Sequence, residues 1–449
     1  MNKLTQFWDN LRSGFWFLPF LIVLSSIVYV VILIQMDYAG GNRWLAQWPR
    51  VFGVTAEGAR DMLSTLASSM MSVMGITFSM TLLALALASS QYTSRVLRNF
   101  MRSRVTQVTL GTFAGIFVYC LIVMHTIRTG DALFVPSMAV FFAFILSFGG
   151  IAVLIFFIHH IASSIQASTI IASVAHETIA SINRLLPEKQ DYEADEDESQ
   201  NPIIDSLDER TWYPVPSVVS GYIESVNNDA LLHLAEDIRT IVRMEHGIGA
   251  FVVQDTALVS LALTYPPDQS TVDALNAAYS IGRHRSVEQD PAFGIRQIVD
   301  MAIKALSPGV NDTSTAVMCV DYLTSIMVQL AGRKFPSSHR YKGETLRVVA
   351  IVPSFEGLLA EAFDQIRGSA ETNVAILARM LSAFNTIGSM AIRPSHIRAL
   401  NEQLRYIEEV VDRCIEASHD RAPLEKRLSE VRETLEIQST SFAGKVSSS

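Results

Sequence analysis

The sequence has few cysteines and few charged residues. Its three cysteines, Cys120, Cys319 and Cys414, lie far apart and form no CxxC pair, so neither a secreted disulfide scaffold nor a cysteine-based zinc site is expected. Charged residues make up 18% of the 449 residues, whereas soluble globular domains usually carry about a quarter. The net charge of -9 leaves no basic surplus for a polyanion, so we expect no nucleic-acid partner.

The sequence also lacks the common motifs of catalysis and cofactor binding. It contains no GxxxxGK[ST] phosphate loop, no GxSxG nucleophile turn and no GxGxxG after a predicted strand. His176 and Glu177 begin like the HExxH metal motif, but Ala180 stands where the second histidine would be. We therefore expect no enzymatic activity, no cofactor and no metal site.

What the chain has in abundance is apolar sequence, most of it in the first third. Hydrophobic residues are 49% of the chain, and the mean hydropathy is +0.28. Four runs in this part contain no Asp, Glu, Lys or Arg, and each exceeds the roughly 20 residues that a helix needs to cross about 30 Å of hydrocarbon. They predict an α-helical polytopic domain in the lipid bilayer over residues 1–161, with four transmembrane helices at 15–36, 62–90, 106–127 and 133–158.

Basic residues in the short loops predict the orientation of these spans. The loop after the second span holds Arg95, Arg98, Arg102 and Arg104 without any acid, and the amino-terminal tail is also basic. The two loops on the other side mix basic and acidic residues. The positive-inside rule then places both termini in the cytoplasm, so a multi-pass protein of the bacterial inner membrane is expected.

The second predicted span has small and hydroxyl residues on one face. At 100° per residue these positions fall within an arc of about 80°. Such a face allows close packing against another helix, which is its commoner use, or it lines a narrow wet pathway. The candidate residues are Ser64, Ser68, Ser72, Gly75 and Ser79.

After the fourth span the sequence predicts a cytoplasmic, mainly helical α+β domain. Residues 162–186 form a helical extension, and 187–210, with ten acids and two basic residues, form an acidic linker. Residues 211–265 alternate like strands, and their two glycine turns resemble the halves of a biotinyl- or lipoyl-type module, so a small β barrel-like module is expected. Carrier function is not implied, because the hairpin tip has no lysine. Residues 266–440 are predicted to be mainly helical, and 441–449 to be a disordered tail.

One stretch of the soluble part concentrates charged and polar side chains around a Ser-Pro-Gly-Val-Asn-Asp turn. As a site, its arginines would bind an anion, or Asp300, Asn311 and Asp312 would bind a cation. As structure, the same residues form a salt-bridged helix pair, with Asp312 or Thr313 capping the next helix. The cluster comprises Arg283, Arg285, Asp290, Arg296, Asp300, Asn311 and Asp312.

Two regions together resemble a known bacterial membrane family. Ile76–Tyr92 with Arg95–Arg98, and Arg283 with the motif from Gln289 to Asp312, are similar to the family catalogued as domain of unknown function 2254. Thr313 departs from the proline that the family favours, which changes the turn and the cap. The resemblance implies four spans and a cytoplasmic domain, and it implies no established reaction.

Two functions fit these predictions. The first is an oligomeric channel or pore-like protein, gated or assembled by its cytoplasmic domain, because the second span is uncharged and rich in hydroxyls. The alternative is a membrane-anchored sensor or scaffold, whose cytoplasmic domain binds a ligand or a protein partner through the polar cluster. The expected partners are the lipid bilayer, further copies of the chain as a homo-oligomer, and a small ion or a protein.

Overall fold

The structure is a computed structural model, and it describes residues 16–39, 55–91, 104–128, 134–186, 210–287 and 289–446. The chain forms two compact units, Met1–Ile170 and Ile171–Ser449. Residues 187–209 of the predicted acidic linker and the arginines at 95, 98 and 102 lie outside the described residues.

The first unit contains four long apolar helices. They are α1 (Phe17–Tyr38), α2 (Ala56–Gln91), α3 (Arg104–Thr126) and α4 (Ser137–Ser164). Their bounds differ from the predicted spans by a few residues. α3 packs against each of the other three, and its Phe113 and Tyr119 are buried in the common core.

Small residues bring α1 and α3 close together. A Cβ added at Gly111 would lie 2.8 Å from the Ile22 side chain and 2.9 Å from the Pro19 backbone. One turn further along α3, the hydroxyl of Ser26 donates a hydrogen bond to the Gly115 carbonyl at 2.8 Å. Small-residue contacts with an interhelical hydrogen bond are typical of helix packing in membranes.

A buried carboxylate joins α1 to the start of α4. Asp37 is 5% exposed, and its two oxygens accept hydrogen bonds from the backbone nitrogens of Met138 at 3.3 Å and Ala139 at 3.2 Å. The hydroxyl of Tyr119 donates to the Ala139 carbonyl at 2.8 Å. Because the free amides of a helix N-terminus favour a negative charge, these contacts hold α1, α3 and α4 together at one end.

The second unit combines helices with two open sheets. The chain bends at Ile165 and Gln166 after α4 and continues as α5 (Ala167–Leu185), so the predicted extension is a separate helix. The later helices are α6 (Asn228–Asp237), α7 (Gln269–Ala277), α8 (Pro291–Leu306), α9 (Thr313–Ala331), α10 (Phe355–Ser369), α11 (Val374–Met390), α12 (Pro394–Cys414) and α13 (Ser418–Val446). The strands are β1 (Tyr213–Pro216), β2 (Gly221–Val226), β3 (Val242–Met244), β4 (Phe251–Val252), β5 (Ala257–Leu261), β6 (Tyr279–Gly282), β7 (His339–Lys342) and β8 (Thr345–Val349).

The prediction of a barrel-like module at 211–265 is not supported, because neither sheet among the described residues closes. The five-stranded sheet has the order β1-β5-β3-β8-β7, and the three-stranded sheet has the order β4-β2-β6. β3 pairs in parallel with β8, with Val242 opposite Val348, and β2 pairs with β6. Strands from outside the predicted module therefore complete both sheets, and one buried core underlies them.

The predicted count of four spans is not confirmed, since five described helices are long and apolar enough to cross a membrane. Four are α1, the Ala56–Ala86 part of α2, α3 and α4, and the fifth is α9. α9 carries Asp321, which pairs with Arg379 of α11. Its apolar side chains are buried against the neighbouring helices α8 and α11, which also occurs in the core of a globular domain.

The last helix is longer than the sequence predicts. The sequence predicts a disordered tail at 441–449, but α13 extends to Val446, and 447–449 lie outside the described residues. No proline follows Pro423, so nothing in the sequence breaks the helix once its earlier turns are packed. The side chains that anchor it recur every three to four residues and are Leu424, Leu428, Val431 and Leu435.

Candidate functional site

The small and hydroxyl face of α2 is exposed in the single chain. Ser64, Ser68, Ser72, Gly75 and Ser79 are all exposed. Ser68 Oγ donates to the Ser64 carbonyl at 2.8 Å, and Ser72 Oγ donates to the Ser68 carbonyl at 2.9 Å. A Cβ added at Gly75 would meet nothing within 4 Å. The face that packs is the opposite one, which buries Ala59, Leu63, Ala67 and Met70.

Packing within the chain therefore does not account for this face. No other helix of the described first unit covers it, and the two hydroxyl bonds above stay within α2. Serine hydroxyls bonded in this way to their own helix retain lone pairs that can accept further hydrogen bonds. The face is available to a second copy of the chain, to lipid or to water.

The structure separates the predicted polar cluster into groups along α8. This helix is about 24 Å long at 1.5 Å per residue, and Asp290 and Asp312 lie beyond its opposite ends. A small ion therefore cannot contact both ends. Arg283 is exposed and belongs to none of the groups.

The first group is a partly buried ion pair at the start of α8. Arg285 Nη2 lies 2.7 Å from Asp290 Oδ2, and Asp290 Oδ1 accepts a hydrogen bond from the Phe293 nitrogen at 3.2 Å, so Asp290 also caps the helix. Burial raises the pKa of the Asp290 carboxyl above its ordinary value, although the Arg285 guanidinium opposes the shift. The guanidinium also stacks over the Phe293 ring, 5.1 Å from its centroid.

Gly249, one of the two turn glycines of the region 211–265, lies against this pair, a contact that its sequence position does not predict. Gly249 has φ +86°, and an added Cβ would overlap Asp290 Oδ2 and come within 2.9 Å of the Arg285 guanidinium. The position needs glycine for both its backbone conformation and the close approach. Locally, only the Gly-Ile-Gly sequence indicates an unusual backbone conformation here. The residues that Gly249 contacts, Arg285 and Asp290, lie far along the chain.

The second group is a set of ion pairs on α8, and the third group caps the start of α9. Arg296 pairs with Asp300 at 2.9 Å within α8 and with Glu361 of α10 at 3.3 Å. Asp312, one of the two capping residues that the sequence predicts, caps α9 and accepts hydrogen bonds from the Thr315 hydroxyl at 2.6 Å and the Thr315 nitrogen at 3.0 Å. These bonds lower the pKa of the Asp312 carboxyl below its ordinary value. Asn311 precedes the cap with φ +50°, which asparagine tolerates.

Thr313, the residue after the cap, also has a partner. Its hydroxyl accepts a hydrogen bond from Asn373 Nδ2 at 3.2 Å, and Asn373 caps α11. Thr313 thus links the starts of α9 and α11. No group of three or more His, Cys, Asp or Glu that could hold a metal ion occurs among the residues that the structure describes.

Comparisons with known proteins agree with the motif resemblance. A family model described as predicted membrane protein (DUF2254) matches residues 12–386. The chain is 30% identical over 431 residues to an uncharacterised protein of Mycobacterium bovis and to one of Mycobacterium tuberculosis strain H37Rv. Each alignment covers 94% of this chain and 81% of the relative. No solved structure matches the chain significantly.

Proposed function

Because the chain belongs to the DUF2254 family of predicted membrane proteins, we propose that its copies assemble into an oligomer with a narrow pathway for a small ion or solute. The α2 helices of neighbouring copies would line this pathway, and the cytoplasmic domain would gate or assemble it. The proposal places the chain in the bacterial inner membrane with both termini in the cytoplasm.

The exposed face of α2 carries the proposal. A lipid-facing surface is usually covered by large apolar side chains, and α2 does expose Met71, Ile76 and Leu83 elsewhere. Between these residues runs the stripe from Ser64 to Ser79, which has small side chains and hydroxyl groups. Small side chains of this kind would let the α2 helices of neighbouring copies approach closely. The uncharged hydroxyl oxygens would then contact the ion or solute in the pathway.

Flux through reconstituted protein tests the proposal. The full chain in liposomes should conduct under voltage, tension or osmotic shock, and Gly75→Leu should lower the flux about tenfold or more, because leucine fills a pathway lined by small residues. The matched control is Gly149→Leu in α4. A Cβ at either glycine would meet nothing within 4 Å, so both variants should fold, and only the α2 variant should lose flux.

Two outcomes would overturn the pathway. One is the absence of flux from wild-type vesicles under all three stimuli. The other is equal flux through wild type and Gly75→Leu, which would show that the α2 face contacts lipid or another protein surface instead. Cross-linking between copies at Ser72→Cys measures assembly separately from conduction.

A further inference from the structure

The three-stranded sheet of the second unit ends in an uncharged edge strand. β4 pairs with β2 on one side, and no strand among the described residues lies on its other side. Residues 247–253, which contain β4, read Gly-Ile-Gly-Ala-Phe-Val-Val and include neither a charged residue nor a proline. Lysines and prolines commonly prevent an edge strand from pairing with another chain, so this edge lacks two features that would keep a partner away.

Large apolar side chains are exposed at this edge. Phe251 is 52% exposed, and its ring lies edge-to-face on Tyr222 of β2, with centroids 5.1 Å apart. The turn before β2 lies beside the residues that follow β4, because Ser220 Oγ accepts a hydrogen bond from the Gln254 nitrogen at 2.8 Å. Clustered apolar side chains on a surface mark interaction sites. The exposed members of this cluster, which we call the β4 patch, are Val218, Val219, Phe251 and Val253.

The hydrogen bonds between β2 and β4 direct the backbone of Phe251 outward. Ile223 of β2 donates to the Ala250 carbonyl at 2.9 Å and accepts a hydrogen bond from the Gly249 nitrogen at 2.8 Å. The bonds of an antiparallel pair involve every second residue of a strand, so the next residue, Tyr222, makes none to β4. Phe251 is the residue opposite Tyr222. Its N–H and C=O therefore point away from β2, towards the open edge.

The neighbouring residues already use backbone groups within the chain, which determines the register of any further pairing. The Gly249 nitrogen donates to β2, as described above. The Val253 carbonyl accepts hydrogen bonds from the Thr256 nitrogen at 3.1 Å and the Thr256 hydroxyl at 2.6 Å. When two identical edges pair antiparallel about a two-fold axis, the central residue pairs with itself. Here that residue is Phe251.

We propose that two copies of the chain associate through the β4 patch, with the Phe251 backbones of the two copies exchanging hydrogen bonds. The two three-stranded sheets then form one continuous sheet, as in other cases of strand addition. The apolar side chains of the two patches cover each other, and the aromatic rings at position 251 lie side by side. The contact lies within the second unit and does not depend on the proposed pathway.

The charges around the patch favour a second copy over a bilayer surface. Membrane-binding loops commonly surround their apolar side chains with lysine or arginine, which anionic headgroups attract. Residues 217–220 and 247–256 contain neither, and their one charged residue is the exposed acid Asp255 beside Val253. An uncharged strand, in contrast, meets an identical strand without like-charge repulsion.

Disulfide formation in the full chain tests the register. In a Cys414→Ser background, where the remaining Cys120 and Cys319 are buried, Phe251→Cys should form a disulfide-linked dimer in liposomes at low protein density. The Cα atoms of a hydrogen-bonded pair lie about 5.5 Å apart, which suits a disulfide. Val253→Cys is the matched control on the same exposed face. Its copies would lie about 14 Å apart, at about 3.4 Å per residue, and should not cross-link.

A buried charge tests the contact through the same disulfide. Adding Val253→Asp to Phe251→Cys should slow dimer formation about tenfold or more, because the contact would bury two unpaired carboxylates. Ile437→Asp is the control, since Ile437 is 61% exposed on α13, outside the patch. It should leave the rate unchanged. The Val253→Cys comparison keeps the test informative if Val253→Asp lowers the Tm.

Three results would contradict the contact. They are the absence of a dimer from Phe251→Cys although a maleimide labels it, equal dimer yields from Phe251→Cys and Val253→Cys, and quenching of a bimane at Phe251→Cys by doxyl lipids. The last result would identify the bilayer as the partner of the patch. No α2 residue enters these measurements, so a failure of the pathway and a failure of this contact are distinguishable.

Discussion

His396 shows how a single buried polar side chain can join helices of the second unit. It lies in the first turn of α12, is 2% exposed, and stacks on Phe355 with ring centroids 4.1 Å apart. The Ala331 carbonyl at the end of α9 accepts a hydrogen bond from the ring, while Nδ1 has no partner among the described residues. Burial, reinforced by the charge of Arg393, lowers the pKa of His396 to about 4.

The stability of the protein should therefore depend on pH through His396. Its folded pKa of about 4 lies below the ordinary value of 6.5, so its contribution to stability is present above pH 6.5 and is lost as the pH falls towards 4. The expected loss is about 3 kcal/mol, at about 1.4 kcal/mol for each pKa unit. His396→Gln retains a donor for Ala331 but does not titrate, so its Tm should fall less than that of wild type between pH 7 and pH 4.

The exposed His233, with a side chain 67% exposed, provides the control. His233→Gln should follow the wild-type pH profile, because an exposed histidine gains little from folding. Parallel acid curves for wild type and His396→Gln would contradict the assignment. The isolated histidine gave no sequence signal, since its aromatic neighbours come from other parts of the chain.

α5 follows the last apolar helix of the first unit. Its side chains and its carboxyl end contact residues of the second unit closely. Arg333, 6% exposed, donates to the Leu186 carbonyl at 3.2 Å and to Asn183 Oδ1 at 2.6 Å. A Cβ added at Gly294 of α8 would overlap Thr178 Oγ1 of α5. The end of α5 is thus capped by a buried arginine, and its middle contacts α8 at the closest distance that glycine allows.

Gly294→Ala should destabilise the protein through this contact. Overpacking costs about 1–3 kcal/mol, so the Tm of the full chain should fall, and adding Thr178→Ala should restore part of the loss with a coupling of about 1 kcal/mol. Gly368→Ala is the matched control, because Gly368 also lies in a helix but a Cβ there would meet nothing within 4 Å. The control should be neutral or stabilising by up to about 1 kcal/mol. Equal effects of the two substitutions would show that the α5–α8 contact is looser than described.

At the scale of the whole molecule, the number of spans depends on α9. Its length and hydropathy suit a membrane, but Asp321 pairs with Arg379, and its neighbours α8 and α11 belong to the same unit. A charged side chain without a partner raises the free energy of a helix in the bilayer. An ion pair also loses its hydration when it is inserted, which costs free energy as well. We therefore expect α9 to remain in the cytoplasm and four helices to cross the membrane.

Cysteine labelling measures this topology. In a Cys414→Ser background, Val310→Cys and Lys334→Cys flank α9 at exposed positions. A membrane-impermeant maleimide added to intact spheroplasts should label neither, and both should react after lysis. Ala132→Cys in the predicted outer loop should react before lysis. Labelling of only one of the two flanking cysteines from outside would show that α9 crosses the membrane.

Local sequence was sufficient for features whose physical cause is local. The four apolar helices follow from continuous apolar runs without charged residues. Such a run of about 20 residues is the length that crosses the hydrocarbon core of a bilayer as a helix. The Ser-Pro-Gly-Val-Asn-Asp turn and a capped start of the next helix follow from short-range chemistry, and of the two predicted caps, Asp312 and Thr313, the structure has Asp312. Arg296 and Asp300 pair on one face of α8, as their spacing predicts, but a sequence cannot show that the length of α8 keeps Asp290 and Asp312 apart.

Only the tertiary structure decided which surfaces are covered. β3 and β8 pair although they are distant in sequence, so local alternation suggested a closed module where two open sheets exist. The glycines at 249 and 294 matter through residues that the fold brings to them. The serine face of α2 was identified from spacing alone, but its exposure depends on how α1, α3 and α4 pack, because burial is a property of neighbours and not of the residue itself.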